Sequence, residues 1–112
     1  MKPFANNLIP FSPTHPGEVL KDEIEFLNIS QRKLALQMGV SYTVLNEILN
    51  SKRAVNAEFA LRVEAALGID AKMLITLQSK YNLLVARNDK SFMQKLIDIR
   101  KTSTFTISSS FH

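Results

Sequence analysis

Residues 30–53, SQRKLALQMGVSYTVLNEILNSKR, hold two helix starts on either side of a single glycine. Ser30 is suited to cap a helix from Gln31 to Met38, because its hydroxyl can accept an amide N–H that the first turn leaves without an intrahelical partner. Gly39 stops that helix, since glycine reaches the left-handed conformation at little steric cost. Ser41 caps again only two residues later, and the next helix is expected to run to about Leu49. Two helices joined this closely meet at a steep angle, which fixes the faces that must be inside. Leu34, Ala35 and Met38 line the first, Val40 fills the corner, and Leu45 with Ile48 line the second. Ala35 is small where the helices cross. This is the pattern of a helix-turn-helix.

The rest of the chain supplies helices around that pair. Pro16 suits a first helical position, Glu18 sits at the positive dipole end, and Leu20, Ile24 and Leu27 recur on one face before Asn28 ends the helix. Asn56 caps a fourth helix with Phe59, Ala60, Val63 and Leu67 on one side before Gly68. Asp70 caps a fifth that carries Leu74, Leu77, Tyr81 and Leu84. The expected fold is all-α, a five-helix domain over residues 14–87. It is preceded by a proline-rich extended arm (1–13) and followed by a C-terminal extension (88–112). In that extension Phe92, Leu96 and Ile99 form a stripe with Met93 and Ile97 beside it, which allows a sixth helix. TFTISSSFH (104–112) alternates as an added strand, an ordered arm or a frayed end would. Met38, Met73 and Met93 are read as core filler, and Phe4 and Phe11 of the arm as packed on the core.

Burying Leu45 and Ile48 turns Ser41, Tyr42, Thr43, Asn46, Glu47 and Asn50 outward. In a helix-turn-helix the second helix enters the DNA major groove and its outward residues meet base edges. Asn46 can pair with adenine, Thr43 can offer a methyl to thymine, and Glu47 can accept from a cytosine amine. Gln31, Arg32, Lys52 and Arg53 flank that helix as candidate phosphate contacts. One unit covers one half-site, so a homodimer with half-sites about 34 Å apart is expected. The net charge of +4 and pI near 9.6 agree with a polyanionic partner. The surplus lies beyond residue 51, with Lys52, Arg53, Arg87, Lys90, Lys95, Arg100 and Lys101, while the part before it is slightly acidic.

Other functions find little support in the residues. The chain has no cysteine, and its two histidines, His15 and His112, lie far apart, so no metal, cofactor or His-dependent triad is expected. Without a nucleophile–base pair or a phosphate loop, the chain does not read as an enzyme. His15 is read instead as a cap of the first helix or a hydrogen-bond partner of a neighbouring one. MKPFANNLIPFSP lacks the apolar run of a signal peptide, and no stretch approaches a membrane span, so a cytoplasmic protein is expected.

HPGEVLKDEI (15–24), LALQMGVS (34–41), ILNSKR (48–53), ALRVEAALGI (60–69) and LQSKYNLLVAR (77–87) together resemble the HigA antitoxin family, lambda-repressor-like proteins also called VapI-like or plasmid-maintenance antidotes. The resemblance covers about residues 14–87. It implies a five-helix DNA-binding domain that represses its own operon and neutralises a HigB-type toxin, similar to ribonucleases that cut mRNA on the ribosome. Three positions depart from the family pattern. Ser51 stands where glycine is frequent, Leu74 where tryptophan is common, and Asn82 where aspartate is. Two alternatives to the antitoxin are a stand-alone repressor of phage or mobile-element type and a protein-interaction module that has lost DNA binding. The extension after Arg87 can dimerise the chain, meet the toxin or cover a small core.

Overall fold

The computed structural model describes residues 13–105. Six helices follow one another: α1 (Pro16–Phe26), α2 (Gln31–Met38), α3 (Tyr42–Leu49), α4 (Ala57–Leu67), α5 (Ala71–Arg87) and α6 (Lys90–Thr102). No strand occurs among the described residues. The arm (1–12) and the end of the alternating tail (106–112), with Phe4 and Phe11, lie outside them.

Local chemistry sets nearly every boundary. Ser30, Ser41, Asn56, Asp70 and Asp89 each accept a backbone N–H from the first turn of the helix they precede. Gly39, at φ 73°, ends α2 with paired bonds from Val40 N to Ala35 O and from Gly39 N to Leu36 O. Asn28 turns the chain at the end of α1 with φ 57°. Beyond α3 the same left-handed turn falls to Ser51, at φ 63°, with Ser51 N bonded to Ile48 O and Lys52 N to Glu47 O. A side chain in that conformation costs about 1 kcal/mol relative to glycine. Ser51→Gly is therefore expected to raise stability by about 1 kcal/mol in urea unfolding, and an unchanged midpoint would count against strain at this turn.

The core joins one stripe from each of the first five helices. Leu20 and Ile24 of α1 meet Leu34, Ala35 and Met38 of α2, Leu45, Ile48 and Leu49 of α3, Phe59, Ala60 and Val63 of α4, and Leu74 of α5, with Val55 from the α3–α4 connection. Two core assignments need correction. Leu27 lies past the end of α1, as its C-cap, and is exposed; Met73 is turned outward because its neighbour Leu74 faces the core. Met93 is only half-buried.

The sixth helix forms and packs against α5, yet none of its residues is buried. Phe92, Leu96, Ile97 and Ile99 all remain exposed, so α6 does not close the core.

Buried polar groups are satisfied where helices meet. Gln78 Oε1 accepts Val55 N at 2.8 Å while Gln78 Nε2 donates to Asn82 Oδ1 at 2.9 Å. Arg62 of α4 donates through Nη1 to Met38 O at 2.7 Å, placing a cation at the C-terminal carbonyls of α2.

Candidate nucleic-acid interface

The position of α3 is fixed from both sides. Leu45, Ile48 and Leu49 are essentially inaccessible, so the helix cannot rotate without exposing them. At its C-terminal end, α1 approaches through Gly17. A Cβ on Gly17 would overlap the Ile48 carbonyl oxygen and lie 2.8 Å from its carbon. The HPG triplet is thus the docking point of α1 on α3.

His15 completes that corner. Its Nδ1 accepts Gly17 N at 2.8 Å as the cap of α1, and its ring meets Tyr81 of α5 edge-on, with centroids 4.8 Å apart. One of the two expected roles of His15, the cap, is therefore observed. Burial lowers its pKa below the usual 6.5, against the opposing effects of the Glu18 carboxylate and a hydrogen bond to the Arg53 backbone. Protonation would also turn the Nδ1 acceptor into a second donor facing Gly17 N–H. With the folded-state pKa below the unfolded one, the unfolded chain binds the proton first. Stability is full above about pH 6.5, falls as pH drops from there towards the folded-state value, and is flat below it. Urea midpoints at pH 7.5, 6.5 and 5.5 should show this fall in the native chain, and His15→Asn should flatten it; an equal fall in both would assign it to other groups.

On the opposite face of α3 lie the residues selected from sequence. Ser41, Tyr42, Thr43 and Asn50 are exposed, and Asn46 and Glu47 half-buried. Several are joined in pairs. Asn46 Nδ2 donates to Gln31 Oε1 at 3.3 Å, which ties the first turn of α2 to the middle of α3. The guanidinium of Arg32 stacks over the Tyr42 ring, 4.5 Å from its centroid. Arg53 donates through Nε to Glu47 Oε1 at 2.8 Å, with Nη2 at 2.7 Å from the same oxygen. Asn50 donates to Asn46 O at 2.8 Å and accepts from Lys21 Nζ at 3.4 Å. Ser41 spends its hydroxyl as an acceptor on Val44 N at 3.0 Å. Lys52 makes only a backbone bond to this face.

The structure thus brings Gln31 and Arg32 to α3 from the α2 side and Arg53 to its far end, while Ser41, Thr43 and Lys52 make no side-chain contact with the other candidates among the described residues. Lys21, not selected from sequence, joins them from α1. Its signal is faint, a basic residue one turn after Glu18, and only the packing of α1 on α3 brings it there. Polar and basic groups with free hydrogen-bonding capacity line this surface, while no group of three or more His, Asp or Glu that could hold a metal occurs among the described residues. No helix there is long and apolar enough to cross a membrane.

Comparison with known proteins agrees with this geometry. Residues 20–74 match the family described as helix-turn-helix. Virulence-associated protein I of Dichelobacter nodosus is 33% identical over 98 residues, covering 87% of this chain and 89% of that protein. Among solved structures, an addiction module antidote protein of the HigA family from Coxiella burnetii is 29% identical with a TM-score of 0.67, covering 84% of this chain and 98% of its own. The Pseudomonas aeruginosa antitoxin HigA, determined with the higBA promoter, is 28% identical with a TM-score of 0.66, covering 85% and 99%.

Proposed function

Because this chain belongs to the helix-turn-helix family of the VapI-like, HigA-type antidotes, we propose that it is the antitoxin of a HigBA-type module, acting in the cytoplasm. It binds operator DNA through α3 and represses its own operon, and it binds and neutralises a RelE-like, mRNA-cleaving toxin. The chain itself performs no catalysis and needs no cofactor.

The observation that carries the DNA half is the shared outward face of α3, held in place by an inaccessible opposite face. Seated in the major groove, Tyr42, Thr43, Asn46, Glu47 and Asn50 face base edges, and Ser41 sits at the entry of the helix. Gln31, Arg32, Lys52 and Arg53 hold the phosphates on either side. Gln31 then has two tasks, since the amide that meets a phosphate also orients Asn46. The bidentate pairing of Asn46 with adenine calls for a fixed amide plane, and Gln31 supplies a partner that fixes it.

The toxin half rests on the family and on a surface away from α3. The exposed apolar stripe of α6, Phe92, Leu96 and Ile99, offers a face for a second protein chain, whether a homodimer partner or the toxin. Neutralisation follows if the bound antitoxin blocks the toxin sterically or masks its basic residues. Pull-down of the tagged chain at native levels, with mass spectrometry of what it retains, tests this half. A small basic ribonuclease-like protein in equimolar amount is the expected result. Retention of DNA alone would replace the antitoxin with a stand-alone repressor.

A further inference from the structure

The pair formed by Glu47 and Arg53 deepens the DNA-binding reading above and rests on it. Two nitrogens of Arg53 converge on a single oxygen, Oε1 of Glu47, at 2.8 and 2.7 Å. Oε2 takes no hydrogen bond from the described residues, and the Nη1 edge of the guanidinium is likewise uncommitted there. Their side chains keep 50% of their surface accessible for Arg53 and 39% for the half-buried Glu47, so the free oxygen and the free N–H edge are open to a ligand. Glu47 lies one turn beyond Thr43 on the same side of α3.

A phosphate clamp alone needs no such partner, and the Lys52 side chain beside it has none among the described residues. An unpaired carboxylate in the groove would in turn be repelled by the phosphates. Paired with Arg53, Glu47 enters nearly neutral and keeps one directed acceptor. Major-groove donors are the exocyclic amines of cytosine and adenine. Adenine sets its N7 acceptor beside the amine, where it opposes a carboxylate; cytosine does not.

We propose that Glu47 is a specificity-determining residue that accepts from a cytosine amine through Oε2. Arg53 is its positioning residue, holding the carboxylate through the Nε hydrogen bond and the Nη2 ion pair while its remaining N–H groups meet a flanking phosphate. The division of labour fits the fork of the guanidinium, which an ammonium cannot reproduce.

Selection from a pool of random duplexes long enough for two half-sites tests this, using the full chain, Glu47→Gln, Arg53→Lys and Lys52→Ala. Glu47→Gln keeps the size and Arg53→Lys the charge, and at these exposures neither substitution enters the core. The native consensus should fix a C·G pair at one position of each half-site. Glu47→Gln and Arg53→Lys should each lower the preference for cytosine at that position about tenfold, leaving the other positions as they were. Lys52→Ala should weaken binding to all sequences alike and keep the consensus. An unchanged consensus for Arg53→Lys overturns the positioning role, and a cytosine preference that survives Glu47→Gln overturns the reading role. A native chain that enriches no sequence overturns DNA recognition itself, a separate failure visible before any variant is compared.

Discussion

Gly17→Ala is expected to destabilise the domain by about 3 kcal/mol or more, at the upper end of what overpacking costs. The reason is the neighbour that the new methyl would meet. Side chains can change rotamer to admit an extra methyl, but here the obstacle is the carbonyl of Ile48, part of the backbone of α3. Relief requires α1 to move away from α3. That movement would also disturb the His15 cap and the contact of its ring with Tyr81. For a domain of this size the loss corresponds to a fall in Tm of about 12–24 °C. Thermal unfolding followed by far-ultraviolet circular dichroism measures it, and a change under about 1 kcal/mol would mean that the approach of α1 to α3 is looser than described. Any loss of DNA binding by this variant would be indirect, since Gly17 does not lie on the outward face of α3.

Ile48→Asp should have an effect of similar size by a different route. Ile48 is 1% exposed and surrounded by the core, so an aspartate there is either buried unpaired or protonated at a cost of several kcal/mol. The domain should be largely unfolded at neutral pH. Asn46→Ala, only two residues away, makes the informative contrast. It removes the hydrogen bond to Gln31 but no core contact, so the fold should persist while discrimination at one or two base pairs falls by about 1–3 kcal/mol. Circular dichroism and duplex binding on both variants separate the two faces of α3. Equal loss of folding in both would show that its inward and outward faces have been misassigned.

Much of this arrangement was legible in the sequence because it depends on neighbours a few residues apart. A cap such as Ser30, Ser41 or Asn56 acts on an N–H within the next turn, and Gly39 closes its own helix; both leave their mark in a short window. Helical periodicity then separated Leu45 and Ile48 from the polar residues between them. It erred at Leu27, where the helix had already ended; Met73, read as core filler from its residue type, faces outward because the neighbouring Leu74, which the periodicity did select, takes the inward position. The need for glycine at position 17 was invisible for another reason: its cause is a carbonyl on α3, brought close only by the fold. The same holds for the pairs within the candidate site. Asn46 with Gln31, Tyr42 with Arg32, and Glu47 with Arg53 were each selected singly, as residues of suitable chemistry. That they meet depends on the crossing of α2 with α3 and on the turn at Ser51. At that turn the family pattern favours glycine, and the chain accepts a strained serine instead.

The account turns on the outward face of α3 recognising DNA, and the salt dependence of binding tests it most directly. The full chain would be titrated against the duplex immediately upstream of its operon and against a scrambled duplex of equal composition, over a series of salt concentrations. The account predicts tighter binding to the upstream duplex, with log K falling linearly with log salt by about 0.9 for each phosphate contacted. Equal affinity for the two duplexes with no dependence on salt would contradict it, and would leave a helix-turn-helix fold serving protein contacts alone.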